Sequence, residues 1–112
     1  MQVESQMDEI FGRFEKDPDE FERLFREHFH TAKVAPVAVF GINKALYAEI
    51  VVVARKRDTF YTITRIQNGG NSVYTLTITV GDINRPYYLK GELMERAKLI
   101  TKEWVDETFS LL

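Results

Sequence analysis

From Leu46 to Ile66 the chain reads LYAEIVVVARKRDTFYTITRI, and this stretch decides the fold. Two runs rich in β-branched and aromatic residues flank a short charged segment, Arg55-Lys56-Arg57-Asp58. Strand formers this dense on both sides of so short a turn predict a hairpin in the middle of a sheet. In the first run the even positions, Leu46, Ala48, Ile50, Val52 and Ala54, are uniformly apolar. The odd positions, Tyr47, Glu49, Val51, Val53 and Arg55, are mixed. One sheet face is therefore committed to a core, and the other is only half dry. The second run, Thr59–Gln67, puts Phe60, Thr62 and Thr64 on that second face.

Working outward, Asn68-Gly69-Gly70-Asn71 is a hairpin signal, because glycine and asparagine accept positive φ. Ser72–Val80 then alternates strictly, with Tyr74, Leu76, Ile78 and Val80 inward and Val73, Thr75, Thr77 and Thr79 outward. Gly81–Pro86 reads as a loop and Tyr87–Leu89 as a short additional strand. Upstream, Val34–Ile42 is strand-like but contains Pro36, which removes a ladder donor and predicts an edge or bulged strand. Gly41-Ile42-Asn43-Lys44 is the expected turn into the central hairpin.

Residues 4–15 place Met7, Ile10, Phe11 and Phe14 on one helical face. Asp17-Pro18-Asp19-Glu20 starts a second helix, with Asp17 as the cap and Pro18 in the first turn; it is expected to reach about Phe29. Its apolar face is Phe21, Leu24, Phe25 and His28. A last helix from about Glu92 carries the stripe Leu93, Ala97, Ile100, Trp104, Thr108 and Leu111. Met94, Val105, Phe109 and Leu112 form a second stripe beside it, wider than packing on one sheet requires. The order predicts a two-layer α+β fold: two N-terminal helices, a four- to five-stranded antiparallel meander sheet and a long C-terminal helix. Residues 1–112 fit a single domain.

Cysteine is absent, which excludes disulfides and thiolate metal sites and suits a cytoplasmic protein. No signal peptide and no membrane-spanning run is expected. Charged residues make up 29% of the chain, which leans towards a thermophile. The net charge of −2 conceals a division along the chain: residues 1–30 carry −5, residues 31–91 carry +5 and residues 92–112 carry −2. The helices are acidic and the sheet is basic. Either the two layers attract each other, or the molecule presents a positive face to a partner.

Basic and aromatic residues interleave in the sheet segment: Tyr47, Arg55, Lys56, Arg57, Phe60, Tyr61 and Arg65, then Arg85, Tyr87, Tyr88 and Lys90. Cations that track phosphates, beside aromatic faces that stack bases, are what single-stranded nucleic acid requires. The same residues also fit a solvated hairpin tip with amphipathic tyrosines at the core edge. No helix is basic, which argues against major-groove reading. Glu27-His28-Phe29-His30 lacks the helical ligand spacing and a third strong ligand, so no metal is expected. His28 fits the apolar face instead, and His30 the negative end of the helix. Glu49, within an apolar strand, suits a cross-strand Lys or Arg partner better than a general acid. The serines lie in no nucleophile context, Gly69-Gly70 is a turn rather than a phosphate loop, and no catalytic residue or cofactor is expected.

The organisation resembles the ThermoDBP single-stranded-DNA-binding family of hyperthermophilic archaea. The likeness rests on Asp17-Pro18-Asp19-Glu20-Phe21 leading a short helix, then a meander of strands with basic residues, then a final amphipathic helix. It implies single-stranded DNA bound along the sheet in a cleft of apolar and basic residues, and it carries over no individual site residue. Two other readings stand beside it. One is a protein-interaction module or homodimer using the mixed sheet face or Trp104, Val105, Phe109 and Leu112. The other is a helix-grip domain enclosing a small ligand.

Overall fold

The chain runs through two helices, α1 (Gln2–Lys16) and α2 (Pro18–Glu27), and then five strands. These are β1 (Phe29–Ala38), β2 (Leu46–Lys56), β3 (Thr59–Asn68), β4 (Asn71–Val80) and β5 (Ile83–Tyr88), followed by α3 (Gly91–Ser110). This computed structural model describes residues 2–38, 46–68 and 71–110, with side chains described over 3–33, 49–66 and 72–104. The strands lie in chain order, β1-β2-β3-β4-β5, and every neighbouring pair is antiparallel, which is the expected meander. Pro36 lies on edge strand β1 and Pro86 on edge strand β5, where a missing ladder donor is tolerated.

Helix α2 starts as the sequence predicts. The Asp17 carboxylate accepts from the Glu20 N–H at 3.4 Å, and Pro18 occupies the first turn. The helix ends earlier than expected, at Glu27, and His28 caps it. Strand β1 correspondingly begins at Phe29 rather than Val34. The cause is tertiary. The Arg55 N–H donates to the His28 carbonyl at 2.9 Å, extending the β1–β2 ladder up to the helix end. Phe29 leaves the helix to stack on Trp104, with ring centroids 4.4 Å apart. Ile42, the Gly41–Lys44 turn and the Gly69-Gly70 pair lie outside the described residues.

The loop expected at Gly81–Pro86 is also shorter. Only Gly81 and Asp82 turn, with Gly81 at φ 61°, and β5 pairs with β4 from Ile83 onward. A full edge strand therefore replaces the short Tyr87–Leu89 one.

The core lies between the sheet and the helices. Phe21, Ile50, Val52, Ile63, Leu76 and Ile78 are fully buried, and Phe21 meets Phe14 and Phe25 edge-on at 5.4 and 5.3 Å. On α3, Leu93, Ala97 and Ile100 are buried and Trp104 and Met94 pack partly against the cluster. The side chains of Val105, Thr108, Phe109, Leu111 and Leu112 lie outside those described. Thr101 is buried too, and it satisfies its hydroxyl by donating to the Ala97 carbonyl at 2.9 Å. The helical layer is laced across its surface. Arg26 reaches both Glu103 oxygens, at 3.0 and 3.1 Å, and Arg96 reaches Asp19 at 2.6 Å. No helix among the described residues is long and apolar enough to cross a membrane.

Candidate nucleic-acid interface

The helices cover one sheet face. The registers define the other. One row across it runs Lys33, Val51, Thr64, Thr75, Tyr88. The next runs Thr31, Val53, Thr62, Thr77, Pro86, and a third runs Arg55, Phe60, Thr79, Asn84. Ile66 and Val73 form a cross-strand pair beyond them. No described element packs on this surface, whose middle is made chiefly of the β-branched side chains Val51, Val53, Thr62, Thr64, Thr75 and Thr77.

Aromatic posts stand at two places on it. Tyr88 is 71% exposed at the β5 edge. Phe60 is half-buried beside the hairpin turn, where the Arg55 guanidinium lies 5.3 Å from its ring centroid and the His30 ring meets it edge-on at 5.7 Å. His30 thus belongs to this face, not to the end of α2. The turn is held by Arg57 in the left-handed region, φ 59°, with the Arg55 Nε–H donating to the Arg57 carbonyl at 3.2 Å. Glu49 stands opposite Ala35, so the expected cross-strand cation is not its direct partner.

The predicted basic and aromatic residues separate into groups. Arg55, Phe60 and Tyr88 share the open face, and Arg57 sits at its rim. Lys90 is exposed just past β5. The side chain of Tyr47 lies outside those described; its backbone pairs with Val37. The remaining five point towards the helices. Tyr61 is buried against Phe14 at 6.1 Å, and burial pushes its phenol up from the ordinary value. Arg65 lies half-buried in register between Ile50 and Tyr74. Tyr87 stacks on Phe11 at 4.3 Å and donates its hydroxyl to Asp8 at 2.6 Å. Burial and that bond push the Tyr87 phenol up to about 12. Arg85 pairs with the same Asp8 at 2.8 Å, and this carboxylate raises the guanidinium further. Lys56 lines a cleft beside α2.

Positions that sequence reasoning did not single out join the open face: Lys33 and Thr31 on β1, and Asn84 on β5, which accepts from the Thr79 hydroxyl at 2.7 Å. Their signal was alternation, hidden by the misplaced ends of β1 and β5. Most described carboxylates lie in the helices, and Glu49 is the single acid among the described side chains of the β1–β3 face rows. No cluster of three His, Cys, Asp or Glu side chains that would hold a metal ion occurs among the described residues.

The molecule is thus a two-layer α+β fold with one sheet face covered by acidic helices and the other uncovered by any described element. No family model matches the chain, and no curated protein or solved structure does either.

Proposed function

We propose that this protein binds single-stranded nucleic acid across the open sheet face, without catalysis. The observation that carries the reading is the sidedness of the sheet. Tyr88 and the half-buried Phe60 place aromatic rings on a surface that also carries Arg55 and Lys33, while most described carboxylates lie in the helices. Stacking is sequence-tolerant, and each stacked base contributes about 1–3 kcal/mol. The threonines Thr62, Thr64, Thr75 and Thr77 supply hydroxyls on the same face. The three open-face members of the original basic and aromatic set, with Arg57 and Lys33, form the core of the site. Arg85 and Tyr87 are engaged by Asp8 instead. The resemblance to the ThermoDBP organisation points to the same class of ligand.

Fluorescence anisotropy of labelled single-stranded oligonucleotides at two salt concentrations tests this. Saturable binding that weakens as salt rises is expected. Absence of binding at low salt, or affinity indifferent to salt, overturns it.

A second reading is supported by the Ile66–Val73 pair, 48% and 41% exposed on the same face. Apolar side chains side by side on an uncharged surface suit a protein partner, including a second copy of the chain. Light scattering that gives a dimer, with Ile66→Lys returning it to a monomer, favours this reading over the nucleic-acid one.

A further inference from the structure

Behind the central hairpin, on the helix side of the sheet, a cleft of about 260 Å³ opens between α2 and the ends of α1 and β2. Its floor is Phe14, Leu24 and Tyr61, all buried. Arg13, Arg23, Lys56 and His28 also line it. Alternation at the hairpin produces this: Arg55 goes to the open face and the next residue, Lys56, to the covered one. The backbone bond from Arg55 to the His28 carbonyl, 2.9 Å, holds the hairpin against the end of α2. The same bond occupies a carbonyl that would otherwise present negative charge there.

The cations differ in how they are engaged. Arg13 faces Glu20 at 3.5 Å. Arg23 and Lys56 form no ion pair within 4.0 Å among the described residues, although Glu20 and Glu27 line the same cleft. Two unpaired cations lining a cleft with an apolar floor suit an anion with an organic body. The carboxylates disfavour a bare anion but accept hydrogen bonds from ligand hydroxyls. At about 260 Å³ the cleft lies just below the usual range of ligand sites, about 300–1,000 Å³. It is too small for a long ligand and large enough for a phosphate with a sugar or ring. The Tyr61 phenol, whose ionisation burial pushes up further, is a hydrogen-bond donor at the floor.

We infer that this cleft binds a phosphate monoester carried on a hydroxyl-bearing body, with Arg23 and Lys56 gripping the phosphate and Phe14, Leu24 and Tyr61 beneath the organic part. The site does not depend on the open-face reading. Its ligand is either a free nucleoside monophosphate or the phosphorylated end of a nucleic-acid strand.

The test follows amide chemical shifts of the full chain during titration with a nucleoside monophosphate. The anisotropy of a 5′-phosphorylated oligonucleotide is measured beside that of its 5′-hydroxyl twin. Saturating shifts at Arg23, His28 and Lys56 with the mononucleotide identify a free-nucleotide site. Tighter binding of the phosphorylated oligonucleotide identifies a strand-end site. In either case the Arg23→Gln/Lys56→Gln double variant loses about tenfold or more of that affinity, as two charge-assisted bonds require. Its thermal melt stays that of the parent. No saturable shift together with no advantage from the terminal phosphate, or a double variant that binds as the parent does, overturns the proposal. A mononucleotide that binds while the 5′-hydroxyl oligonucleotide does not leaves the cleft standing and removes the open-face reading. An oligonucleotide that binds equally with and without its phosphate, in a chain that ignores the mononucleotide, does the reverse.

Discussion

Strand β4 carries two surfaces that differ in every respect but backbone. Inward, Tyr74, Leu76 and Ile78 are buried against the helices. Outward, between them, Thr75, Thr77 and Thr79 face an open surface. A strand that needed only to stay in water would set lysines and glutamates on its outer side, which also discourages stray pairing. This one sets β-branched residues there, as do Val51 and Val53 on β2. Such side chains favour the strand conformation and carry no charge. The inner face is explained by the core it fills. The outer face has a composition suited to contact.

The largest effect that separates the faces belongs to the covered one. Phe21→Ala removes a fully buried ring that touches Phe14 and Phe25, and it should cost about 3–5 kcal/mol in denaturant unfolding. A loss below about 1 kcal/mol would mean that the helices are not fastened to the sheet as described. On the open face, Phe60→Ala and Tyr88→Ala should each weaken oligonucleotide binding by about 1–3 kcal/mol, with the greater share of the effect in affinity rather than stability. Unchanged anisotropy curves in both variants would separate the aromatics from any ligand.

Tyr87 marks the boundary between the faces by its titration. Its pKa is raised in the folded chain to about 12, so the folded state keeps a proton that the unfolded chain releases above about 10. The stabilisation is whole below that lower value and is lost as pH rises through the window to the upper one. A spectrophotometric titration should show a tyrosine ionising near the top of this window, and Tyr87→Phe should delete that component. The smallest effect is expected from Thr77→Val in the middle of the open face, within about 0.5 kcal/mol of the parent in stability. A larger loss would reveal that the hydroxyl is part of a structural network.

Much of this arrangement was legible in the sequence, because two-residue alternation is a local property. Ser72–Val80 and, within the described side chains, Glu49–Arg55 declared their faces without any tertiary knowledge, and Asp17-Pro18 declared its helix start. Alternation also contained more than was drawn from it. Once Phe60, Thr62 and Thr64 face outward, Tyr61 and Arg65 must face inward, beside Ile63. Grouping cations and aromatics by proximity in the chain joined residues that the pleat separates. Other features had no local signal. Asp8 engages Arg85 and Tyr87 from the opposite layer, and the Tyr87 bond spans 79 positions in the chain. The early start of β1 depends on Arg55 and Trp104, both distant. The turn-like composition of Ile83-Asn84-Arg85-Pro86 yields to pairing with β4.

The strict chain order of the strands also bears on how the protein folds. Every strand pairing joins consecutive segments, so the sheet assembles through short closures, each of small entropic cost. The helical layer is different, because the Arg26–Glu103 and Arg96–Asp19 contacts each span 77 positions. Those two contacts join α2, before the first strand, to α3, after the last. Nascent hairpins therefore have no covered face until both flanking helices arrive. If the meeting of α2 and α3 limits the rate, substitutions at that seam should slow folding, and unchanged refolding rates would place the seam after the transition state.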